Sequence, residues 1–219
     1  MHPPFPHIVH GQTLWLSGQR VIFWEDTRSL IVSDCHFGKT GHFRKSGIAV
    51  PQKIFRTDMQ RLLHQVQHFN AQRLIITGDF FHSEENSELD FFRKWRNDIP
   101  IEILLVKGNH DILKEAHYRG LDITLHDPVF AEGPFLFRHD PGSEPLPGAQ
   151  ASSFTFTGHI HPGIRINGAG RQTLRFPCFY FTDSFCILPA FSHFTGLVSL
   201  RPSGNDKVFA IVEEKILAF

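Results

Sequence analysis

A short apolar run followed by Asp, Asn or His recurs along this sequence and sets narrow limits on its fold. Apolar runs of this length, bounded by turn residues, are typical of buried β-strands. Five of them are followed by clusters of oxygen and nitrogen ligands: Asp34-Cys35-His36, Gly78-Asp79, Gly108-Asn109-His110-Asp111, Arg138-His139-Asp140 and Gly158-His159-Ile160-His161. Because ligand sites in open α/β sheets form outside the carboxyl ends of strands, we expect these clusters to converge.

Helical periodicity separates the first predicted strands. Apolar residues recur at helical spacing from about 52 to 69, and a second helix is predicted over about 84 to 95. Strand and helix alternate up to Val106, which predicts parallel strands joined by crossover helices. Upstream, residues 13–16 and 20–24 predict a β-hairpin.

The second half of the chain is dominated by predicted strands. A short helix is predicted near Ile112–Tyr118, and Asp140–Ala149 reads as a loop. The predicted strands are 135–137, 153–157, 173–176, 185–188, 197–200 and 208–212. With no internal repeat or linker, the sequence predicts one α/β domain over residues 1–219, which two packed sheets could build.

Composition excludes several classes of protein. The 22 Lys+Arg balance the 22 Asp+Glu, so the chain is not a binder that holds nucleic acid by bulk charge, although a local basic patch is allowed. The 15 His beside 3 Cys favour metal or proton chemistry over a disulfide framework. Neither a signal peptide nor a membrane span is indicated, so we expect a cytoplasmic protein with no membrane partner.

The ligand types in the five clusters indicate the kind of metal. Asp, Asn and His without thiolate suit two hard or borderline cations such as Mn, Fe or Zn rather than a structural zinc ion. Gly78, Gly108 and Gly158 precede three of the ligands and permit tight turns where the backbone must approach closely. Each cluster alone also occurs in ordinary turns; the order and spacing of all five carry the prediction.

The series D-x-H, G-D, G-N-H-D, H and G-H-x-H, from Asp34 to His161, resembles the calcineurin-like metallophosphoesterases. The resemblance implies a four-layer α/β/β/α sandwich with a dinuclear metal site at strand ends. It implies one metal held by Asp34, His36, Asp79 and His161, and a second held by Asp79, Asn109, His139 and His159. Asp79 would then bridge the two ions, and His110 would act as the acid beside the leaving group, with Asn109 next to it and Asp111 as its orienting partner.

A closer resemblance covers the stretches HFGKTGHFRKSGIAVP from His36 and LPAFSHFTG from Leu188. Both resemble the ligase-associated DNA-damage-response endonuclease branch of the same superfamily, which implies DNA as substrate and DNA-repair proteins as partners. Two positions depart from the pattern of that branch: Phe37 stands where Leu is commoner, and Ser192 where Gly is commoner. The sequence does not indicate what the Leu188–Gly196 segment does.

A cationic loop follows the first ligand pair and carries Lys39, His42, Arg44 and Lys45. Such a loop beside a phosphoryl site could clamp the backbone of a nucleic acid. The alternative is a solvated surface loop with incidental charges, and the sequence does not separate the two.

The remaining histidines have no required role. His64 and His68 lie four apart on the first predicted helix without a third ligand, so we expect them to be exposed. His2, His7 and His10 fall in an N-terminus expected to be mobile. His82 could reach the site, and His126 or His193 could replace His139, whose single-His motif carries the least information.

Together these observations predict a divalent-metal-dependent phosphodiesterase, a DNA endonuclease linked to repair, in which two metals activate hydroxide and His110 is the acid. The expected cofactors are two divalent ions, Mn before Fe, Zn or Mg. The first alternative is a phosphodiesterase or phosphatase for a small nucleotide-like substrate. The second is a non-catalytic scaffold of the same fold, which the presence of all seven ligands and His110 argues against.

Overall fold

Two β-sheets form the centre of the molecule in a computed structural model that describes residues 2–39, 41, 47, 53–82, 87–142, 153–168 and 173–219. The first sheet has seven strands in chain order. They are β1 (Phe5–Val9), β2 (Gln12–Ser17), β3 (Val21–Trp24), β4 (Ser29–Val32), β5 (Arg73–Thr77), β6 (Glu102–Val106) and β7 (Ile123–His126). Strands β1 to β4 pair antiparallel and β4 to β7 pair parallel.

Helices cover one face of this first sheet. They are α1 (Lys53–His68), α2 (Ser87–Asn97) and α3 (Glu115–Gly120). Strands β4, β5 and β6 are buried on both faces, as their unbroken apolar runs predict. The apolar stripe of α1 packs with α2 against the sheet through buried side chains that include Leu62, Val66 and Phe92. These crossovers bring the carboxyl ends of the parallel strands to one edge.

The second sheet has nine strands from the second half of the chain. They are β8 (Phe130–Glu132), β9 (Phe135–Phe137), β10 (Phe154–Thr157), β11 (Pro162–Asn167), β12 (Thr173–Phe181), β13 (Phe185–Ile187), β14 (Val198–Ser199), β15 (Lys207–Val212) and β16 (Lys215–Ala218). The order is β14-β11-β12-β13-β10-β9-β8, with β15 paired to the second half of β12 and β16 paired to β15. Strands β9, β10 and β13 are parallel.

A second core lies between the two sheets and is rich in phenylalanine. Phe137, Phe156 and Phe179 have no exposed surface and pack against Leu104 and Val106 of the first sheet. Aromatic side chains of this size contribute a large share of the apolar area that folding buries. The predicted α/β fold with two packed sheets is therefore confirmed.

The outer face of the second sheet has its own small core. Ile164, Tyr180 and Val208 are buried there against Leu200, which belongs to the extended segment after β14. In the described part of the chain this layer is built by irregular backbone rather than by a helix. Among the same residues, no helix is both long and apolar enough to cross a bilayer.

Several local expectations differ from the structure. The helix expected near Ile112–Tyr118 begins only at Glu115, because Asp111 and its neighbours form a turn tied to other loops. The N-terminus expected to be mobile is strand β1, in which the His7 ring packs edge-on to Phe181 at 4.6 Å between centroids. Strands β1, β7, β8, β11 and β16 were not predicted. Residues 84–86 and 143–149 lie outside the described residues.

Candidate metal centre

All five predicted ligand clusters meet at one edge of the two sheets. Asp34 and His36 follow β4, Asp79 follows β5 and Asn109 follows β6, so three parallel strand ends of the first sheet contribute. The second sheet contributes His139 after β9, and His159 and His161 after β10. The convergence expected from the sequence is therefore what the fold produces, and it requires both sheets.

One group consists of Asp34, His36 and His161. His161 Nε2 lies 3.3 Å from Asp34 Oδ1, and the Nε2 atoms of His36 and His161 lie 3.4 Å apart. One ligand atom from each of the three side chains falls within 4.8 Å of the others. Asp34 is fully buried and His36 nearly so, while His161 opens to the surface.

A second group consists of Asp79, His139 and His159, with Asn109 beside it. His139 Nε2 is the shared centre: it lies 3.3 Å from Asp79 Oδ2, 3.1 Å from Asn109 Oδ1 and 3.3 Å from His159 Nδ1. Three other potential ligand atoms thus lie within 3.3 Å of His139 Nε2. His139 was the predicted ligand with the least informative sequence motif, and it lies among the other predicted ligands.

In the second group, His139 and Asp79 shift each other's pKa in opposite directions. Burial disfavours a charged His139, but the Asp79 hydrogen bond and the charges of Asp34 and Asp79 outweigh it and raise the pKa of His139 to about 9. Burial likewise opposes ionisation of Asp79, yet the His139 interaction and the His110 amide lower its pKa to about 2. At neutral pH the positive charge of protonated His139 therefore lies beside the ionised carboxylate of Asp79.

His36 in the first group behaves in the opposite way. Burial lowers its pKa to about 3 despite the opposing charge of Asp34, so the imidazole is neutral at physiological pH. Neutral imidazole is the form that binds metals. Buried carboxylates facing imidazole nitrogens, with no thiolate among them, form a donor set that fits divalent cations.

The backbone at the site adopts conformations that residues other than glycine seldom take. Five of the seven candidate ligands have positive φ: Asp34 (53°), His36 (49°), Asp79 (51°), His159 (67°) and His161 (53°). Non-glycine residues rarely occupy this region, although Asp, Asn and His tolerate it best, and such strain clusters at functional sites. The turns that carry the ligands are thus shaped by the surrounding fold.

The three glycines that precede candidate ligands are, as predicted, positions where other atoms come close to the backbone. The closest of these atoms belong to the side chains of candidate ligands and of Ser33. A Cβ on Gly108 would lie 2.3 Å from Asp79 Oδ1, and one on Gly78 would lie 2.1 Å from His139 Nδ1. A Cβ on Gly158 would lie 1.8 Å from Ser33 Oγ and 2.6 Å from Asp34 Oδ2. Only glycine leaves room for these ligands.

Neighbouring polar groups fix the orientation of the ligands. His139 Nδ1 lies 2.9 Å from Thr77 O, which leaves Nε2 to face the second group. Ser33 Oγ donates to Asp34 Oδ2 at 2.6 Å, and the amide of His159 donates to the same oxygen at 3.1 Å. Such partners set the tautomer and direction of metal ligands. Ser33 and Thr77 follow no motif and were missed by sequence reasoning.

His110 and His82 extend the site beside the first group. The His110 ring lies 4.2 Å from that of His82 and 5.5 Å from that of His36, between centroids. His82 Nδ1 lies 3.3 Å from His36 Nδ1, so the expectation that His82 could reach the site is confirmed. His110 is half-buried, so part of its surface is exposed to solvent.

The role expected for Asp111 is corrected. Its carboxylate accepts hydrogen bonds from the amides of Phe81 at 2.9 Å and Gly108 at 3.0 Å, rather than from the His110 ring. The side chain is fully buried, and that burial raises its pKa to about 7. Asp111 therefore ties the loop after β5 to the loop after β6 and does not orient His110.

Other residues singled out from the sequence have varied positions. Lys39 is half-buried; burial lowers its pKa, while the charges of Asp79 and Asp34 oppose that shift, so it lies within electrostatic reach of the site. His42, Arg44 and Lys45 lie outside the described residues.

His64 and His68 are exposed on α1 as expected. His126 packs on Phe130 and His193 lies near Arg20 and Arg61, so neither replaces His139.

The Leu188–Gly196 segment backs the first ligand loop. The amides of Phe191 and Ser192 donate to Ser33 O and Asp34 O, at 2.9 and 3.2 Å. Arg20 Nη1 donates to Ala190 O and Ser192 O, both at 3.0 Å.

On the other side of the segment, Arg61 of α1 donates to Phe191 O, stacks on the Phe191 ring and pairs with Asp58 at 3.3 Å. Ser192 Oγ donates to Asp58 Oδ2 at 3.0 Å. Sequence reasoning missed Arg20, Asp58 and Arg61, which belong to no motif.

Known proteins resemble this chain in sequence and in structure. A family model described as calcineurin-like phosphoesterase matches residues 27–187. The crystal structure of the Pseudomonas putida nuclease MPE superposes with a TM-score of 0.81 at 28% sequence identity, covering 98% of this chain and 100% of that one. A probable cyclic nucleotide phosphodiesterase of Vesicomyosocius okutanii subsp. Calyptogena okutanii (strain HA) is 28% identical over 80 residues, or 36% of this chain. The match spans 31% of the length of that relative.

Proposed function

Because this chain belongs to the calcineurin-like phosphoesterase family and is a metal-dependent phosphoesterase, we propose that it hydrolyses phosphodiester bonds in DNA as an endonuclease. The observation that carries the proposal is the convergence of Asp34, His36 and His161 beside Asp79, His139 and His159. The similarity to a nuclease over nearly the whole chain favours a nucleic acid as substrate.

We infer that two divalent ions bind at this edge. Asp34, His36 and His161 would hold one, and Asn109, His139 and His159 the other, with Asp79 as the shared ligand. Asp79 suits this role because its Oδ2 lies 3.3 Å from His139 Nε2 of the second group, while its charge also acts on His36 of the first group. Mn is our preferred identity, with Fe, Zn and Mg as alternatives that the same donor set accepts.

When bound, two dications supply Lewis acidity to the phosphoryl group and lower the pKa of a water molecule. The chain contributes the geometry. The burial of Asp34 and Asp79 excludes bulk water from both carboxylates. The glycine turns and the hydrogen bonds of Ser33 and Thr77 hold the ligands in one arrangement.

His110 is the proposed general acid. It is not among the two ligand groups, its ring is accessible, and its amide is fixed to Asp79 Oδ1 at 2.9 Å. Held in that position, the imidazole can give a proton to the departing oxygen. Asn109 beside it would orient the same phosphate. A link to DNA repair remains part of the proposal and rests on the resemblance of the His36–Pro51 and Leu188–Gly196 stretches.

One alternative has its own supporting observation. The similarity to a probable cyclic nucleotide phosphodiesterase covers 80 residues and favours a small nucleotide-like substrate. A scaffold without catalysis is disfavoured because all seven candidate ligands and His110 converge.

The test is hydrolysis by chelator-treated protein to which Mn, Mg or Zn is added back. Three substrates separate the alternatives: an aryl phosphodiester, a cyclic nucleotide, and single-stranded or nicked DNA. We expect metal-dependent cleavage of the aryl diester and of DNA. Cleavage of the cyclic nucleotide but not of DNA would establish the small-molecule alternative, and no hydrolysis with any metal would refute the proposal.

A matched pair of variants isolates the acid. His110→Ala should lower kcat by about 10²- to 10⁴-fold with unchanged metal content. His64→Ala, an exposed histidine on α1, should match the wild type. Equal rates for His110→Ala and the wild type would remove His110 from the mechanism.

A further inference from the structure

Three arginines lie side by side on the part of the second sheet that adjoins the metal centre. Arg165 of β11 is the direct partner of Arg175 in the antiparallel β11–β12 pair, so their side chains leave the same face of the sheet. On the other side, β14 runs parallel to β11 with Gly163 opposite Ser199. Extended two residues past the end of β14, this register places Arg201 alongside Arg165.

Contacts on the same face support this alignment. Arg165 Nε donates to Ser199 Oγ at 3.4 Å, which shows that the Arg165 side chain leans toward β14. Arg165 and Arg201 both line one open depression of about 340 Å³. The backbone of Arg201 is held by Tyr180, whose hydroxyl donates to Arg201 O at 3.2 Å. We refer to Arg175, Arg165 and Arg201 as the arginine row.

The charges of the arginine row are not neutralised by the protein that is described. All three side chains are exposed, and within the described ranges none of them forms an ion pair with a carboxylate. Like charges directly opposite each other destabilise a sheet. Three neighbouring arginines across adjacent strands therefore repel one another. A bound anion would reduce this repulsion.

The position of the row relates it to the candidate metal centre. Strand β11 begins directly after the ligand His161, and the amide of Val198 in β14 donates to His161 O at 3.0 Å. Four residues of extended chain separate His161 from Arg165, a distance of at most about 13 Å. This corresponds to about four nucleotides of a B-form strand, which rises ~3.4 Å per nucleotide.

We propose that the arginine row binds successive phosphates of a nucleic-acid strand and holds that strand where it leaves the metal centre. The proposal rests on the proposed phosphodiesterase function and adds a binding surface to it. Arginine recognises phosphate oxygens by paired N–H donors, and such contacts position a nucleic acid without reading its sequence. None of the three arginines belongs to the His36–Pro51 stretch, most of which lies outside the described residues.

The experiment compares two triple variants with the same change in net charge. The first is Arg165→Gln, Arg175→Gln and Arg201→Gln together. The matched control is Arg56→Gln, Arg93→Gln and Arg119→Gln, three exposed arginines on the helices outside the first sheet. Binding of a fluorescent single-stranded DNA is measured with chelator present, so that cleavage does not interfere, over a range of salt concentrations.

We expect the row variant to bind DNA at least about tenfold more weakly than the control variant. The slope of log affinity against log salt should fall by about 2, since each phosphate contact on a single strand contributes about 0.7. Hydrolysis of an aryl phosphodiester with added metal should stay at the wild-type level. Equal DNA binding by the two triple variants would overturn the proposal.

Two further results separate this inference from its premise. If no variant, including the wild type, hydrolyses the aryl diester, the proposed function fails whatever the DNA binding shows. Inorganic phosphate, added at the same concentration of phosphate groups as an unlabelled strand, should not compete. Equal competition would show that the row holds a free anion rather than a strand, and would also overturn the proposal.

Discussion

Individual residues at the site combine buried charge with unusual backbone geometry. Asp34 and Asp79 are almost fully buried, and both have φ near +50°. Conformations of this kind persist only where surrounding contacts hold them. Here the carboxylate of Asp111, bonded to the Phe81 and Gly108 amides, supplies one such contact. The ligand turns are thus organised by the protein itself.

Gly108→Ala tests the steric part of this organisation. Its Cβ would lie 2.3 Å from Asp79 Oδ1 and 2.4 Å from Asp79 N, so the Asp79 turn has to move. We expect the variant to bind metal at least about tenfold more weakly and to lose roughly 1–3 kcal/mol of unfolding free energy, as overpacked sites do. Isothermal titration calorimetry and urea unfolding measure the two effects.

Gly196→Ala is the control for this substitution, because a Cβ there meets no atom within 4 Å. It should bind metal as the wild type does. If Gly108→Ala behaved in the same way as Gly196→Ala, the close approach of Gly108 to Asp79 would not matter for the site.

The pKa of His139 predicts that metal binding releases a proton. The folded protein without metal holds this proton up to pH about 9, whereas metal needs the neutral ring. Metal affinity should therefore rise by up to about tenfold per pH unit between pH 7 and 9 and level off above. Calorimetry in buffers of different ionisation enthalpy counts the protons; an affinity independent of pH over this range would contradict the assignment.

At the level of residues, the order of the motifs predicted which side chains meet at the candidate site. Asp34, Asp79 and His139 lie in the predicted place, and His82 reaches the site. The role predicted for Asp111 was wrong because its partners are the backbone amides of Phe81 and Gly108. Contacts with backbone amides leave no pattern in the sequence.

The secondary-structure elements around the site are linked by one buried cluster. Arg61 on α1 and Arg20 after β2 both donate to carbonyl groups of the Ala190–Ser192 stretch. That stretch in turn donates to Ser33 O and Asp34 O. The cluster therefore connects the first helix, the hairpin and the end of the second sheet to the loop that carries Asp34.

Arg61→Met tests this link. Arg61 and Asp58 are both buried, so the substitution leaves a carboxylate without its ion-pair partner and should cost about 3–5 kcal/mol of unfolding free energy. Because the Asp34 loop loses support, metal affinity of the folded fraction should fall by about 10- to 100-fold. Urea unfolding and metal titration are the measurements.

The control is Arg93→Met on α2. Arg93 pairs with Asp90 at 3.0 Å, also three residues apart on a helix, but the pair is exposed. Its loss should change the unfolding free energy by less than about 1 kcal/mol. Similar losses for Arg61→Met and Arg93→Met would show that the buried cluster does not support the site.

The elements differ in how far periodicity predicts them. Strands β4, β5 and β6 were predicted because they are unbroken apolar runs between helices. Strand β11 was missed because Pro162 and Gly163 open it and Arg165 interrupts its apolar residues. The edge strand β1 contains Pro6 and His7, and its stability comes from pairing with β2 rather than from its own composition.

For the whole molecule, the site exists only because two sheets from different halves of the chain meet. The phenylalanine-rich core between the sheets fixes their relative position. The chain has a formal net charge of +0, but two bound dications would outweigh the carboxylates of Asp34 and Asp79. Attraction for a phosphate backbone would then come from the metal centre and from local arginines rather than from net charge.

We propose that the ends of strands from both sheets form one dinuclear metal centre. Crystals grown with Mn²⁺ and measured at the manganese absorption edge test it directly. We predict two anomalous peaks about 3.5–4 Å apart. One should lie against Asp34, His36 and His161 and the other against Asn109, His139 and His159, with Asp79 contacting both. A single peak, or peaks away from these residues, would show that the strand ends do not form a dinuclear centre.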